Sequence, residues 1–453
     1  MADELKLLQP PERVLSTLNA DGTRRWLRPK AAMGAWWRRR RVVAWILMVL
    51  FTAIPWIELP SGPLMRFDLV NRDFWFVGVS FRPTDSLLLM LLMLAIFLSI
   101  FLITALTGRG WCGWACPQTV YLEFLFRPIE RAVKHKVLRW TIFAILALHL
   151  SNTFLSYFAG PRTVLEWSFG SPAQHPAAFA VVMVVAALIL IDFGWFREQM
   201  CTLVCPYARL QSVLLDRDSL IIGYDVKRGE PRGKLKTGSE KGAGDCIDCK
   251  LCVAACPTGI DIRDGLQLEC VACVQCVDAC DAVMDKIGRP RGLIRFASQN
   301  SLEGKPRRFL RPRVLIYPAL LTVAVAGLSF GLAGRESALV RVLRIQNVPY
   351  TLQSDGTVLN PVRVYLENRT DEIRSYTLEL EAPAAGRLIA PMFPLAIPPG
   401  ENFTVVVQTV LPASAFADGR AHARLRFRDG VDFDHVLDDV LPGPIGAAGG
   451  ALQ

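Results

Sequence analysis

Residues 246–260 read CIDCKLCVAACPTGI, and residues 270–280 read CVACVQCVDAC. Both stretches space their cysteines as C-x2-C-x2-C-x3-C, the spacing at which thiolates hold 4Fe–4S clusters in ferredoxins that carry two of them. In such proteins the fourth cysteine of each run binds the other cluster. We therefore predict one cluster on Cys246, Cys249, Cys252 and Cys280, and a second on Cys270, Cys273, Cys276 and Cys256.

Zinc is the alternative metal for these eight cysteines, since C-x2-C pairs also build zinc sites. Eight cysteines in this doubled register favour iron–sulfur clusters over zinc. The second run departs from the usual pattern in Asp281, which stands where a proline is usual and leaves the ligands intact. We expect a ferredoxin-like module over about residues 240–290 that conducts electrons and is not itself an active site.

The remaining four cysteines form two pairs, in GRGWCGWACPQ (residues 108–118) and FREQMCTLVCPY (residues 196–207). Residues i and i+4 of a helix share one face, so each pair can present two sulfurs to one point. The proline after each second cysteine disfavours helix there, which predicts thiols at a broken helix end. Soft thiolates suit Cu(I), whereas buried cysteines more often only pack. The spacing leaves open whether copper, a cluster or nothing binds to Cys112, Cys116, Cys201 and Cys205.

Five apolar segments have, or nearly have, the roughly 20 residues that a membrane-crossing helix needs. An apolar fraction of 52% agrees with a membrane protein. The predicted spans are Val42–Ile57, Leu87–Thr107, Trp140–Ala159, Ala177–Trp195 and Val314–Ala333.

The distribution of Lys and Arg predicts the orientation of these spans. Residues 1–41 hold ten, residues 58–85 three, residues 108–139 six, residues 160–176 one and residues 196–313 twenty. This alternation follows the positive-inside rule with a cytoplasmic N-terminus, and five crossings then place the C-terminus in the periplasm. The net charge of +10 is therefore a sign of membrane orientation and not of nucleic-acid binding. All cysteines fall on the cytoplasmic side or at its membrane edge, where thiols stay reduced.

The C-terminal region changes to short segments in which apolar and polar residues alternate, separated by turn sequences, as in β-strands. Such strands over about a hundred residues suggest an immunoglobulin-like sandwich. The predicted strands are Val362–Asn368, Tyr376–Glu381, Phe403–Val410 and Ala423–Arg428.

The predicted fold is a five-span α-helical membrane bundle with a cytoplasmic two-cluster ferredoxin-like insert and a C-terminal all-β immunoglobulin-like domain. A tail rich in Gly and Ala follows that domain, and we expect it to be flexible. The predicted boundaries are a cytoplasmic N-terminal segment 1–41, four helices within 42–195, a cytoplasmic region 196–313, a fifth helix 314–333, a periplasmic domain 334–441 and a tail 442–453.

Two ionisable residues within the predicted spans are further candidates, because charged groups in membranes are usually functional. Asp192 lies close to the cytoplasmic end of its span, and His149 could simply hydrogen-bond a neighbouring helix, so the role of both is left open. The chain has no G-x-G-x-x-G dinucleotide fingerprint, so we expect an external electron donor of unknown identity.

Several motifs occur together in an order that resembles one known family. They are the stretch from Arg66 to Glu130, FREQMCTLVCPYARLQS from Phe196, YDVKRGEPRGK from Tyr224, and the doubled cysteine runs. With the five-span layout and the outer β-domain, they resemble the cytochrome c oxidase accessory protein family CcoG, also called FixG or RdxA.

The resemblance implies a bacterial inner-membrane protein that helps to mature a cbb-type haem–copper oxidase by reducing Cu(II) to Cu(I). Copper would be its substrate or a transient ligand, and the paired cysteines Cys112, Cys116, Cys201 and Cys205 would belong to the copper site. The implied partners are the membrane, copper-handling and oxidase assembly proteins, and a cytoplasmic or membrane electron donor.

Three other functions remain open. A respiratory electron-transfer subunit of the nitrate or nitrous oxide type would share the clusters and the C-x3-C-P pairs, although the chain lacks a haem C-x-x-C-H signature. A copper chaperone would need the four paired thiols but not the eight cluster ligands. An assembly scaffold would rely on the β-domain and use the clusters structurally.

Overall fold

The computed structural model describes residues 16–19, 21–69, 72–233, 244–306, 308, 310–345, 349–370 and 372–444. The chain divides into two compact units, Met1–Ser329 and Phe330–Gln453. The start of the predicted N-terminal segment (1–15) and most of the predicted tail (445–453) lie outside the described residues.

The first unit is mainly helical, because its long apolar runs favour α-helices. Prolines and glycines interrupt these runs, and a proline ends a helix that apolar residues would otherwise continue. Its short strands are β1 Glu58–Leu59, β2 Gly62–Pro63, β3 Met65–Asp68, β4 Asp73–Phe76, β5 Val79–Phe81, β6 Ile221–Tyr224 and β7 Ile294–Ala297. The α-helices of the described chain are α1 Ala35–Ala53, α2 Ser86–Thr107, α3 Gly110–Trp114, α4 Pro117–Tyr121, α5 Arg127–Ala132, α6 Lys136–Ala159, α7 Pro161–Phe169, α8 Pro176–Ile191, α9 Pro206–Leu214, α10 Val226–Gly229, α11 Leu251–Ala254, α12 Gln275–Lys286, α13 Gln299–Leu302 and α14 Pro312–Ala333.

Four helical segments of the described chain are long and apolar enough to cross a membrane. They coincide with the second to fifth predicted spans, and each begins slightly before the predicted residue. These segments are Pro83–Thr107, Lys136–Ala159, Pro176–Phe196 and Pro312–Ala333.

The first predicted span, Val42–Ile57, lies only partly in an α-helix, because this helix begins and ends earlier in the chain than predicted. Helix α1 begins at Ala35 and ends at Ala53, and a 3-10 turn with Pro55 follows it. Proline cannot continue the hydrogen-bonded ladder of an α-helix, which explains the early end. The first turns of α1 carry the run Arg38–Arg41, so this helix is less apolar than the other four, and its crossing of the membrane stays a prediction.

A two-stranded antiparallel sheet holds the cysteine-rich region together. Strand β6 pairs with β7, and both cysteine runs lie between these strands in the sequence. The buried core of this region includes Ile222, Val277, Met284, Leu293 and Ile294. One strand of this sheet therefore comes before the predicted module in the sequence, and the other comes after it.

The second unit is a β-sandwich, as the alternating sequence predicted. Its strands are β8 Ala338–Arg344, β9 Thr351–Leu352, β10 Thr357–Asn368, β11 Arg374–Ala382, β12 Arg387–Ile389, β13 Leu395–Ile397, β14 Asn402–Pro412, β15 Arg420–Arg428 and β16 Asp434–Pro442. One sheet has the order β12-β14-β10-β8, with β9 paired to β10, and the other has the order β13-β11-β15-β16. Side chains from both sheets, such as Leu366 and Leu425, are fully buried between them. The four predicted strands lie within β10, β11, β14 and β15.

Candidate functional site

The eight cysteines of the two runs surround two cavities. Each cavity receives three cysteines from one run and the last cysteine of the other run, as crossed ligation requires. Cys252 lies at the border and lines both cavities. One cavity is lined by Cys246, Cys249, Cys252 and Cys280, and the other by Cys256, Cys270, Cys273 and Cys276. The assignment of each cysteine as a cluster ligand stays a prediction.

Both runs bend their backbone in the same unusual way. Asp248 and Lys250 in the first run have φ of 50° and 57°, and Ala272 and Val274 in the second run have φ of 53° and 59°. Residues with a side chain rarely adopt this left-handed conformation, which costs on the order of 1–3 kcal/mol. The strain occurs at equivalent positions on both sides of the second cysteine, so it shapes each loop around its cavity.

The lining of both cavities fits an iron–sulfur cluster. Sulfur donors are accompanied by apolar side chains such as Ile260 and Val274 in one cavity and Val283 and Met284 in the other. In the described chain no three Cys, His, Asp or Glu side chains converge closely enough to hold a single metal ion. Zinc would need its thiolates at about 2.3 Å from one point. Sulfurs spread around a cavity therefore fit a group of several atoms better than one zinc ion.

Burial controls the protonation of these thiols. It raises the pKa of Cys252 and Cys280 to about 12 and that of Cys270 to about 11. Without a bound cation these thiols are neutral at pH 7, so their binding of a metal group must release protons.

The two membrane-edge cysteine pairs come together although they are about ninety residues apart in the sequence. Cys112 is buried, and its Sγ–H donates a hydrogen bond to Oε1 of Gln211 at 2.8 Å. The amide of Gln211 in turn donates to Oη of Tyr207 at 2.7 Å. Cys201 and Tyr207 pack against a buried group that contains both Cys112 and Cys273. The paired cysteines thus lie beside a cysteine of the second cavity.

The paired thiols are close enough to raise one another's pKa. Burial raises the pKa of Cys112 to about 12 and that of Cys116 and Cys201 above the ordinary value. Cys205 adds to the rise of the pKa in all three, as expected for sulfur groups that share one small region. The four thiols are therefore neighbours in one region, although, as elsewhere in the described residues, no three of them converge closely enough to hold a single metal ion.

We predicted that the two cysteines of each pair share one helical face, but the backbone leaves the helix at the second cysteine of each pair. Cys112 lies in α3, but Cys116 has φ −62° and ψ 126°, which is extended backbone. Cys201 lies in a π-helical turn, Met200–Val204, and Cys205 is extended, with φ −64° and ψ 109°. The proline after each second cysteine excludes helix at that position, as the sequence indicated. The two sulfurs of a pair therefore do not occupy successive turns of one regular helix.

Asp192 lies beside this group, whereas His149 does not. The Gln118 side chain donates to Oδ1 of Asp192 at 3.0 Å, and Asp192 contributes to the raised pKa of Cys116 and Cys201. His149 lies exposed on α6. Gln118 and Gln211 had no signal in the sequence, because an isolated glutamine has no characteristic spacing.

The segment that carries Cys112 and Cys116 (residues 108–117, the membrane-edge loop) and the loop of the second cysteine run (residues 270–274, the cysteine-rich loop) meet backbone to backbone at Gly113. A Cβ atom at this position would lie 2.5 Å from the carbonyl oxygen of Val271 and 2.6 Å from that of Ala272. Such distances are too short for any side chain, so glycine is required for the close approach. The residue after Cys112 is therefore in contact with the loop between Cys270 and Cys273.

Two buried arginines reinforce this contact. Arg40 of α1 donates from Nε to the carbonyl oxygen of Gly113 at 2.8 Å and from Nη1 to that of Cys273 at 2.9 Å. Arg109 donates to the carbonyl oxygen of Cys270 at 3.0 Å and to that of Ala208 at 2.7 Å. Charged donors form stronger hydrogen bonds than neutral ones, so these residues fix the loops in place.

Acidic residues complete the attachment. Asp278, between Cys276 and Cys280, accepts hydrogen bonds from the backbone N–H groups of Trp36 at 3.1 Å and Trp37 at 2.7 Å. A carboxylate at the positive N-terminal end of α1 stabilises that helix. No local sequence pattern indicated this contact, which joins residues 241 positions apart.

A second acidic contact involves Glu123, which is almost fully buried. Gln275 of the second cysteine run donates to Glu123, and Arg127 donates to it at 2.7 Å. Burial would raise the pKa of Glu123, but Arg127 and Arg40 outweigh it and leave this pKa below its usual value. Glu123 is therefore a buried carboxylate anion whose charge is balanced by arginines.

Comparison with protein families supports three regions of the chain. A 4Fe–4S dicluster domain profile matches residues 196–299, and a 4Fe–4S binding domain profile matches residues 89–136. A profile for the Ig-like fold at the C-terminus of FixG matches residues 328–437, which confirms the immunoglobulin-like prediction.

Three known proteins are similar to this chain over most of its length. The nitrogen fixation protein FixG of Rhizobium meliloti is 31% identical over 87% of this chain and 88% of its own length. Protein RdxA of Cereibacter sphaeroides is 33% identical over 86% of this chain and 90% of its own length. Protein RdxB of the same organism is 35% identical over 79% of this chain and 82% of its own length.

Proposed function

Since this chain belongs to the FixG/RdxA family of membrane iron–sulfur electron-transfer proteins, we propose that it reduces Cu(II) to Cu(I) for the assembly of a cbb-type cytochrome oxidase. The proposed copper site is the group of membrane-edge cysteines, namely Cys112, Cys116, Cys201 and Cys205. The proposed ligands of the two 4Fe–4S clusters are the crossed sets that line the two cavities.

One observation carries this proposal: Cys112 and Cys273 belong to the same buried group. A thiol of the membrane-edge site thus lies beside a cysteine of the second cavity, and both residues are buried. When bound, the clusters supply single electrons. The reduction of Cu(II) to Cu(I) consumes one electron, which an external reductant must provide.

The chemistry of the paired cysteines suits the reduced ion. Thiolates are soft ligands that bind Cu(I) in preference to harder divalent ions. Burial keeps the thiols of Cys112 and Cys201 neutral until a cation displaces their protons. The carboxylate of Asp192 beside Cys116 would offer a harder oxygen to the incoming Cu(II) ion.

A second function is favoured by the 4Fe–4S binding domain profile over residues 89–136, because this range contains Cys112 and Cys116. The membrane-edge cysteines would then hold an iron–sulfur group, and the chain would pass electrons to a respiratory partner instead of to copper. A cupric reductase assay separates the two functions. The anaerobically purified protein, reduced with dithionite and then freed of the excess reductant, should convert Cu(II) to Cu(I), detected with a Cu(I)-specific chromophore. Full iron loading without any cupric reduction would favour the respiratory function.

We further propose an inner-membrane location with five crossings, a cytoplasmic N-terminus and cytoplasmic clusters, and a periplasmic C-terminal domain. The support is the alternation of basic residues, since positively charged loops remain in the cytoplasm. Copper-handling and oxidase assembly proteins are the proposed partners, together with an unknown electron donor. Reporter fusions at Gly288 and Gly430 should report opposite sides of the membrane. Reports from the same side would contradict the five crossings.

A further inference from the structure

A cavity of about 290 Å³ in the first unit is lined mainly by arginine, and no cysteine takes part in it. Five arginines and one glutamate line it, so the formal charge of its ionisable lining is +4 (five minus one). The lining residues are Leu27, Arg28, Pro29, Arg127, Glu130, Arg131, Arg139 and Arg197.

Two of these arginines are held by carboxylates and form the frame of the cavity. Arg127 lies 2.7 Å from Glu123 and 3.3 Å from Glu198, and all three side chains are buried. Arg197 lies 2.9 Å from Glu130. These ion pairs fix both guanidinium groups in the wall of the cavity.

The other three arginines carry uncompensated charge into the cavity. In the part of the chain that the structure describes, Arg28, Arg131 and Arg139 have no carboxylate within salt-bridge distance. Arg131 donates to the carbonyl oxygen of Pro29 at 3.1 Å, which leaves its charge unbalanced. Three cations gathered around one cavity repel one another, so a bound anion would be stabilising.

The position of the cavity in the chain places it at the level of the membrane surface. Arg139 belongs to the first turns of α6, which starts the span Lys136–Ala159. Arg197 directly follows the span Pro176–Phe196. The arginines therefore lie at the ends of two membrane-crossing helices, where the headgroups of phospholipids are found.

Exposed tryptophans that are close in sequence to the lining arginines support the same level. Trp140 follows Arg139, and Trp195 comes two residues before Arg197; their exposed fractions are 40% and 55%. Trp26, which comes shortly before Arg28, is 54% exposed. Large exposed indole rings are characteristic of the boundary between lipid and water.

We propose that this arginine pocket binds a phosphate group, namely that of an anionic phospholipid headgroup. Guanidinium groups match the geometry of phosphate oxygens, and they form paired, charge-assisted hydrogen bonds with them. Basic pockets between membrane helices on the cytoplasmic side bind anionic headgroups in other proteins. The pocket would anchor the segment before α1, which supplies Arg28, to the helices that supply Arg139 and Arg197. This proposal does not depend on copper reduction.

Short-chain lipids and the full-length, cluster-loaded protein in neutral detergent provide the test. The three probes are dihexanoyl-phosphatidylglycerol, dihexanoyl-phosphatidylcholine and inorganic phosphate, and binding is measured as a rise in the thermal unfolding midpoint and a change in tryptophan fluorescence. A ligand that binds only the folded protein raises this midpoint in a concentration-dependent way. Phosphatidylglycerol should bind at least tenfold more tightly than phosphatidylcholine.

The pocket variant is Arg28→Gln with Arg139→Gln, because neither side chain holds the fold through an ion pair. It should bind phosphatidylglycerol at least tenfold more weakly. The matched control is Arg38→Gln with Arg308→Gln, which removes the same charge from exposed positions outside the pocket and should bind as the unchanged protein does. Equal iron content in all variants shows that the fold is retained.

Three results would overturn the proposal. Inorganic phosphate that binds as tightly as phosphatidylglycerol would assign the pocket to a soluble phosphate compound. Phosphatidylcholine that binds equally well would show that the negative headgroup charge is irrelevant. Equal binding of phosphatidylglycerol by the pocket variant and the control would show that these arginines do not form the site.

Discussion

Arg40 donates a hydrogen bond to the backbone carbonyl of Cys273, so a buried cation lies directly against the loop of the second cavity. The same guanidinium donates to the carbonyl of Gly113, next to Cys112. Burial raises the pKa of Cys273 to about 12, and the charge of Arg40 opposes this rise. Arg40 therefore favours negative charge at the position where the second cluster is predicted.

Replacing Arg40 with Gln should lower the reduction potential of the second cluster, because a nearby cation stabilises the added electron. One unit charge at several ångström and an effective dielectric near 20 is worth about 2 kcal/mol, or on the order of 90 mV for one electron. A redox titration followed by electron paramagnetic resonance measures the change. Arg39→Gln is the control, since Arg39 lies against Trp36 and is exposed. Equal potentials in both variants would show that Arg40 has no electrostatic role.

Gly113→Ala should separate the membrane-edge loop from the cysteine-rich loop. The new Cβ would lie 2.5 Å from the carbonyl oxygen of Val271, and a backbone oxygen cannot move aside as a side chain can. Overpacking of this kind costs about 1–3 kcal/mol. We expect a lower unfolding midpoint and slower cupric reduction, with iron still bound.

Gly110→Ala is the matched control for this variant, since it lies in the same short helix, α3. Its nearest neighbour would be the hydroxyl of Thr107 at 3.0 Å, on a side chain that can rotate. Stability and activity should therefore change less. A Gly113→Ala protein as stable and active as the Gly110→Ala protein would contradict the close backbone contact.

Replacing Cys112 and Cys116 together by Ser, or Cys201 and Cys205 together, should abolish Cu(I) retention and cupric reduction. Serine keeps the size but is a harder donor than thiolate. Iron content should stay near eight per chain, by the four-iron stoichiometry of each predicted cluster. Metal analysis of iron and copper on the same samples separates the two kinds of site.

Thr202→Ser is the control for these pairs, since Thr202 lies in the same π-helical turn as Cys201 and has no thiol. Iron lost together with copper in either double variant would mean that these cysteines support clusters, in favour of the respiratory function. Unchanged cupric reduction in both double variants would make the four cysteines packing residues only.

Cys256→Ser should perturb the second cluster more than the first, although Cys256 belongs to the first run. It lines the cavity of Cys270, Cys273 and Cys276. Electron paramagnetic resonance at intermediate potentials distinguishes the two clusters. Cys280→Ser provides the reciprocal control, because Cys280 lines the other cavity. Loss of the same cluster signal in both variants would refute crossed ligation.

The local features of this protein could be predicted from its sequence because each depends on residues that are close in the chain. The alternating segment at Val362–Asn368 became part of β10, and the proline after Cys116 ended the helix at that cysteine. The doubled cysteine spacing predicted two crossed sets of four cysteines, and each set lines one cavity, with Cys252 lining both.

The contacts that attach the cysteine-rich region to the membrane helices could not be predicted. Arg40 belongs to a run of four arginines, which all have the same polar value on a hydropathy scale. The fold nevertheless buries Arg40 and leaves Arg38 exposed. Asp278 caps a helix that begins more than two hundred residues earlier. Such pairings depend on the tertiary fold, so no local pattern marks them. Because of the same run, the predicted span began only at Val42, whereas α1 begins at Ala35.

The close contact at Gly113 restricts the movement of the cysteine-rich region relative to the membrane-edge loop. A carrier that swings between a donor and an acceptor slows in viscous solvent, because large domain motions must displace that solvent. Here, movement of the cysteine-rich region would break the backbone approach at Gly113 and free the Trp36 and Trp37 amides from Asp278. Glycerol should therefore slow the arrival of an external reductant but leave the internal transfer to the membrane-edge cysteines unchanged.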